Sequence, residues 1–204
     1  TPLDDESLKQ LIQSLMDKCG FRSKGIFVMD GSRRSWHGNA YFTGLGSTKS
    51  IVFFDTLLES LEPDEIEAVL AHELGHFRLK HIQKRLLSTM ALSFCALALL
   101  GWLAGQAWFF TGLGISQPSS WMTLMLFLMV LPVFTFILQP LLSRLSRKHE
   151  FEADAYAVRQ SSGQDLVNAL VKMYRENAST LTPDPLYSAW HDSHPPAPVR
   201  IDHL

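Results

Sequence analysis

One stretch of the sequence constrains the fold more than any other: residues 86–142, 57 in all, contain no Asp, Glu, Lys or Arg. All the charged side chains of this 204-residue chain lie outside it, so a soluble protein's composition is interrupted by that of a membrane segment. The sequence TGLGISQPSS divides the stretch into residues 86–110 and 121–142. Each part is long enough to cross a hydrocarbon core of about 30 Å, which predicts a two-helix transmembrane hairpin.

The charges that flank this stretch predict its orientation. The turn between the two parts carries none, whereas its open end is bordered by cations: Lys80, Lys84, Arg85, Arg144, Arg147 and Lys148. Because cationic flanks stay on the cytosolic side, we expect the open end to face the cytosol, in the endoplasmic reticulum membrane or the bacterial inner membrane. Pro132 and Pro140 predict a kinked second span. The alternative is a helical hairpin buried in a soluble core.

The overall composition excludes several other classes of protein. The formal net charge is -2 and no basic stripe is present, so nucleic acid is not an expected partner. Two cysteines, Cys19 and Cys95, can build neither a disulfide framework nor a thiolate zinc site. The chain begins at Thr1 without the pattern of a signal peptide, and we expect it to be a piece of a longer protein.

The regions outside the hairpin show patterns of both helix and strand. Apolar residues at helical spacing predict an amphipathic first helix that ends at Gly20. Three runs, GIFVMD, NAYFTG and SIVFFD, predict a small sheet. From Pro63 we predict one long helix that continues unbroken into the first span. Helices over residues 148–160 and 164–177 and a loop from residue 183 are predicted to follow the hairpin.

The motif HELGH, at residues 72–76, predicts a metal site on the long helix. His72 and His76 are one helical turn apart on one face, so both rings can bind one ion. Glu73 can reach a water molecule on that ion and act as its base. The alternative is two surface histidines on an amphipathic helix.

A catalytic zinc ion needs a third protein ligand and an open position for water. The third histidine of a metzincin is excluded because Ile82 stands at its position, and the region of a thermolysin-like glutamate is the charge-free stretch. The next candidates are in HEFEADAYA, where Glu150 and Asp154 share one helical face. We predict Glu150 as the third ligand and Asp154 as the acceptor that orients a ligand histidine. Alternatively, this is a solvated acidic face.

Two further histidines near these motifs are given no metal role. His81, five residues after His76, would be rotated away from the ligand face of a continuous helix, so it is expected to be structural or interfacial. His149 is expected to be a bystander. At 1.5 Å per residue, His76 would lie about 15 Å from the start of the first span, within reach of a membrane-embedded substrate.

Several segments together resemble a known family: DGSRRSWHGNAYFTG, IVFFDTLL, HELGH, EFEAD and SHPPAPVR. In this order, around a hairpin, they are similar to the catalytic part of type I CAAX prenyl proteases, integral-membrane zinc metalloproteases related to HtpX. The family's zinc ligands match His72, His76 and Glu150, and one zinc ion per chain is implied. The implied fold is α+β, mainly α, with a zincin-like metalloprotease domain interrupted by the two-helix transmembrane hairpin.

The resemblance also implies roles that spacing alone does not. Four residues match a substrate-pairing edge strand: Asn39, Ala40, Tyr41 and Phe42. His194 and Arg200 match an element beside the active site that stabilises the oxyanion of the reaction. The plain alternative for His194, which precedes two prolines, is a rigid loop residue. Family members also have several membrane helices before the catalytic segment, whereas this chain has two in all.

The predicted organisation has three parts. Residues 1–85 form a soluble zincin part with the small sheet and the HELGH helix, residues 86–142 the hairpin, and residues 143–204 a second catalytic part with the third ligand and the substrate-site loop.

The predicted function is a membrane-embedded zinc metalloendopeptidase at the cytosolic membrane face. The resemblance implies a CAAX-ended protein substrate, prenylated or not, cut before its last three residues, with the lipid bilayer as the other partner. The alternative within the class is an HtpX-like quality-control endopeptidase of misfolded membrane proteins. An alternative of another class is a non-catalytic membrane scaffold with a structural metal site, although such a site normally fills its fourth position with protein.

Overall fold

The computed structural model describes residues 1–32, 40–43, 48–176 and 182–204. Within these ranges the chain is mainly helical, with two long apolar helices and a small sheet, which confirms the predicted fold class at this level. The elements in chain order are α1 (Glu6–Cys19), β1 (Arg22–Met29), β2 (Ala40–Thr43), β3 (Thr48–Phe54), α2 (Asp55–Ser60), α3 (Pro63–Arg78), α4 (His81–Leu103), α5 (Ala107–Gly112), α6 (Ser120–Gln160), α7 (Gly163–Glu176), α8 (Pro185–His191) and α9 (Ala197–Ile201).

The three predicted strand runs form one sheet with the order β1-β3-β2. Strand β1 pairs with β3 in parallel, and β2 pairs with β3 in antiparallel orientation. Ile51 and Phe53 of the central strand are fully buried, because their side chains point to the same face and enter the core. Among the described residues, β2 lies at the edge of the sheet.

The larger hydrophobic core packs helices against this sheet. Helix α1 starts at Asp5, whose side chain accepts from the Leu8 amide, and it ends at Gly20 with a left-handed φ of 76°, as the sequence predicts. Its buried Ile12 and Met16 belong to the same core as Leu74 of α3 and residues of β3 and α7. The core therefore supports the helix that carries HELGH.

The predicted continuous helix from Pro63 into the first span is wrong. Helix α3 ends at Arg78 and α4 begins at His81, while Lys80 between them has a left-handed φ of 60°. This conformation costs a residue other than glycine about 1–2 kcal/mol. The break brings His81 back against His76, a contact that no local sequence pattern announces.

Helices α4 and α6 are long and apolar enough to cross a membrane. Only 6% and 11% of their most apolar windows are buried within the chain, which argues against a hairpin buried in a soluble core. The first apolar segment is not one helix up to residue 110. Helix α4 ends at Leu103, and the separate helix α5 packs Phe109 and Phe110 against Leu126 and Phe127 of α6.

Helix α6 joins two predicted elements, because the second span and the helix over residues 148–160 form one helix of 41 residues.

The prediction of a loop from residue 183 is wrong, since this segment contains α8 and α9. The missing amide of Pro140 leaves the Phe136 carbonyl without its helical donor. The indole N–H of Trp190 in α8 donates to that carbonyl over 3.0 Å, so this hydrogen bond fixes α8 to α6.

Candidate metal centre

Strong local sequence signals define the start of helix α3, which carries the HELGH motif. Pro63 occupies the first turn, and Glu62 and Glu65 form a reciprocal capping box. Gly75 allows close approach to α6, because a Cβ atom there would lie 3.1 Å from the Cα atom of Ala153. The glycine of the motif therefore lets the helix that carries the histidines pack directly against the helix that carries the EFEAD segment.

The side chains of His72, His76 and Glu150 converge between α3 and α6. The Nε2 atoms of the two histidines are 3.1 Å apart. The Glu150 oxygens lie 3.6 Å from Nε2 of His72 and 3.5 Å from Nε2 of His76. Ligand atoms of a tetrahedral zinc ion with bonds of 2.0–2.1 Å are about 3.3 Å apart, so the spacing of the two nitrogens and the carboxylate suits such an ion. Their chemistry, two imidazoles and a carboxylate, also suits zinc.

A buried ion pair orients His72. Nδ1 of His72 is 2.7 Å from Oδ1 of Asp154, which is itself only 2% exposed. The Arg200 guanidinium donates to both oxygens of Asp154, through Nε at 2.8 Å and Nη2 at 2.5 Å. Nη2 of Arg200 is also 3.3 Å from Nδ1 of His72, but the carboxylate oxygen is nearer. Because an ionised Asp154 can only accept, a proton on Nδ1 of His72 points to this carboxylate. The Nε2 lone pair is then free to face Glu150.

This arrangement predicts that Asp154→Asn weakens zinc binding. The amide still accepts from His72 but cannot balance Arg200, which is buried. We expect zinc affinity to fall about 10–100-fold, as for other changes behind a ligand histidine. Chelator competition measures the affinity, and Asp202→Asn, an exposed aspartate beside Arg200, is the control. An unchanged affinity for Asp154→Asn would contradict the role of this carboxylate.

The electrostatic environment keeps the second ligand histidine neutral. Burial, reinforced by the neighbouring His72, lowers the pKa of His76 to about 4. The ring is therefore uncharged at neutral pH, which is the form that binds a metal. Nδ1 of His76 is 3.0 Å from Nδ1 of His81.

Glu73 and His194 both interact with Glu150. Burial raises the pKa of Glu73, and Glu150 nearby raises it further. The exposed His194 donates from Nδ1 to Oε2 of Glu150 over 2.9 Å, and this hydrogen bond raises the pKa of His194. Arg200 approaches the same oxygen only to 3.9 Å through Nη1, because its other donors contact Asp154. An oxyanion role for His194 and Arg200 remains a prediction.

The predicted substrate strand is described only in part. Ala40, Tyr41 and Phe42 lie in the edge strand β2, whereas Asn39 is outside the described residues. The Phe42 ring packs edge-on against Phe77 of α3, with centroids 5.5 Å apart. The strand therefore lies beside the end of the HELGH helix, and its pairing with a substrate remains a prediction.

A second group of side chains, which the sequence analysis did not predict, lies behind His76. Nε2 of His81 is 2.9 Å from Oε2 of Glu152, and its ring stacks on that of His149 with centroids 4.2 Å apart. In a continuous helix His81 would face away from the ligands, so only the break at Lys80 brings it there. A histidine five residues after the motif was the only available signal.

Known proteins are similar to the chain along its whole length. The model of Peptidase family M48 matches residues 2–204. CAAX prenyl protease 1 of Saccharomyces cerevisiae is 40% identical over 220 residues, covering 100% of this chain and 49% of that protein. The human CAAX prenyl protease 1 homolog is 33% identical over 243 residues, covering 100% of this chain and 51% of that protein.

A solved structure agrees with these sequence similarities. The crystal structure of S. mikatae Ste24p matches with a TM-score of 0.89 and 39% identity, covering 100% of this chain and 51% of that one. The chain thus spans about half the length of the relatives it matches.

Proposed function

The chain belongs to peptidase family M48, and from this membership we propose that it forms the catalytic part of a membrane zinc endopeptidase. The observation that carries the proposal is the convergence of His72, His76 and Glu150 from two helices, with Glu73 beside them. These three residues would hold one zinc ion per chain. A zincin-like division into residues 1–85, 86–142 and 143–204 belongs to the same proposal.

The chemistry divides between the metal and the protein. When bound, zinc would lower the pKa of a water molecule and polarise the carbonyl of the scissile bond. Glu73 would take a proton from the attacking water molecule and would pass it to the leaving amine. Its raised pKa supports this role, because a carboxyl group that holds a proton more readily is a better base.

The residues around the ligands support charge stabilisation and orientation. His194, exposed beside Glu150, donates to the developing oxyanion after exchanging its present hydrogen bond. Arg200 holds Asp154, and through it His72, while its positive charge lies near the same site. In this proposal, Arg200 therefore acts mainly by orientation, in addition to the predicted electrostatic role.

The substrate class follows from the relatives and from the position of the site. Two relatives are named CAAX prenyl proteases, so we propose a protein with a CAAX end, cut before its last three residues. The edge strand β2 would pair with the extended peptide. Cations at the open end of the hairpin support a cytosolic orientation in a lipid bilayer.

A pair of peptides with one sequence, prenylated and unprenylated, tests this function. We expect the zinc-loaded protein in detergent to cut both before the last three residues, and the prenylated one faster, because its lipid partitions into the detergent around α4 and α6. Equal cleavage of both peptides and of unrelated unfolded proteins would favour a quality-control endopeptidase. No cleavage of any of them would favour a non-catalytic scaffold. Mass spectrometry of the products identifies the cut.

A further inference from the structure

The buried side chain of His81 uses both of its ring nitrogens. Nδ1 is 3.0 Å from Nδ1 of His76, and Nε2 is 2.9 Å from Oε2 of Glu152. His81 itself is only 3% exposed. A continuous chain of contacts thus runs from a carboxylate of α6, through His81 at the start of α4, to a ligand histidine of α3.

Proton counting along this chain gives each hydrogen bond a direction. An ionised Glu152 can only accept, so the single proton of a neutral His81 is on Nε2. Nδ1 of His81 then has a lone pair, and the proton between the two rings belongs to Nδ1 of His76. A neutral His76 with its proton on Nδ1 has its lone pair on Nε2, the atom that faces His72 and Glu150.

We propose that His81, held by Glu152, is a positioning residue that fixes the tautomer and the ring orientation of His76 for metal binding. This inference rests on the metal site of the proposed function. It extends to His76 the arrangement that Asp154 makes for His72, in which an acceptor behind the ring selects the nitrogen that binds the metal. The two ligand histidines thus have different partners: a carboxylate directly for one, and a carboxylate through a second imidazole for the other.

The backbone supports this role. Among the described residues, Lys80 is the one residue other than glycine with a positive φ, and it stands directly before His81. Conformations of this kind persist where surrounding contacts hold them, and they are common at functional sites. The contacts of His81 with His76 and Glu152 are the ones that a regular helix through Lys80 would lose, since His81 would then face away.

The same side chains raise a second possibility, because His81, His149 and Glu152 offer ligand atoms within 4.8 Å of one another. The rings of His81 and His149 are stacked, however, with 13° between their planes and centroids 4.2 Å apart. The lone pair of an imidazole lies in the ring plane, so two nearly parallel planes at this separation cannot direct both lone pairs to one ion. The geometry therefore favours positioning over a second metal site.

Zinc affinity of the full chain in detergent, measured by chelator competition, tests the proposal. His81→Phe keeps the stacked ring but removes the acceptor, and we expect zinc to bind about 10–100-fold more weakly. His81→Asn keeps an acceptor near the place of Nδ1, so it should recover most of that loss. His149→Phe keeps the stack without a nitrogen and should bind zinc as the unchanged protein does.

These variants also separate this inference from the proposed metal site. If the unchanged protein binds zinc and His76→Ala does not, while His81→Phe binds it as tightly as the unchanged protein, only the positioning role is overturned. Equal losses for His81→Phe and His81→Asn would also overturn it, because the acceptor would then not be the cause. A second zinc ion that disappears in His149→Phe would overturn it in favour of a second metal site.

Discussion

Replacing Glu73 by alanine is expected to abolish peptide cleavage while zinc remains bound. The three predicted ligands are untouched by this change, whereas the base that takes and returns the proton is lost. General bases contribute about 10²–10⁴-fold to rate, so we expect turnover to fall by about 100–10,000-fold. Cleavage of a CAAX peptide and zinc content, measured on the same preparation, check both parts of the prediction.

The matched control for this change is Glu67→Ala. Glu67 lies six residues earlier on the same helix α3 and is also half-buried, so its removal makes the same change of charge and size outside the site. Its activity should equal that of the unchanged protein. A fully active Glu73→Ala protein would remove the assignment of the base, and with it the proposed mechanism.

Replacing Glu150 by alanine is expected to remove zinc as well as activity. This carboxylate is 4% exposed, and its two oxygens lie within 3.6 Å of the two ligand histidines. Loss of a direct ligand should weaken zinc binding by more than the factor of about 10–100 typical of residues behind a ligand. Chelator competition and metal analysis measure the loss.

The comparison of Glu150→Ala with Glu73→Ala distinguishes the two roles, since each variant removes one carboxylate from the same site. Zinc bound by Glu73→Ala but not by Glu150→Ala is the expected pattern. If Glu150→Ala retains zinc with unchanged affinity, the carboxylate is not a ligand, and the site would need a different third donor.

The sequence was sufficient to identify the residues that meet at the site. His72 and His76 share a face because they are four residues apart on a helix, and this periodicity is a local property. Glu150 was selected because no carboxylate occurs between the motif and HEFEADAYA, and because Glu150 and Asp154 share one helical face. The structure brings all three together.

The sequence failed where distant contacts decide the local conformation. Lys80 has no glycine or proline beside it, and the break there is explained only by side chains that pack around His81 from α3 and α6. The sequence analysis did not predict the C-terminal helices α8 and α9 for a similar reason. The attachment of α8 uses the Phe136 carbonyl, which Pro140 leaves without its helical donor and which lies 54 residues before Trp190.

Some features of this protein are thus set by its local sequence, and others by contacts between distant residues. By itself the sequence determined the apolar hairpin, the helix with paired histidines and the identity of a carboxylate beyond the membrane segment, because composition and periodicity act over neighbouring residues. Only the tertiary structure decided how His76 is held from behind and how α8 is fixed to the second span. These features depend on hydrogen bonds between residues far apart in the chain, and such bonds form only when helices pack together.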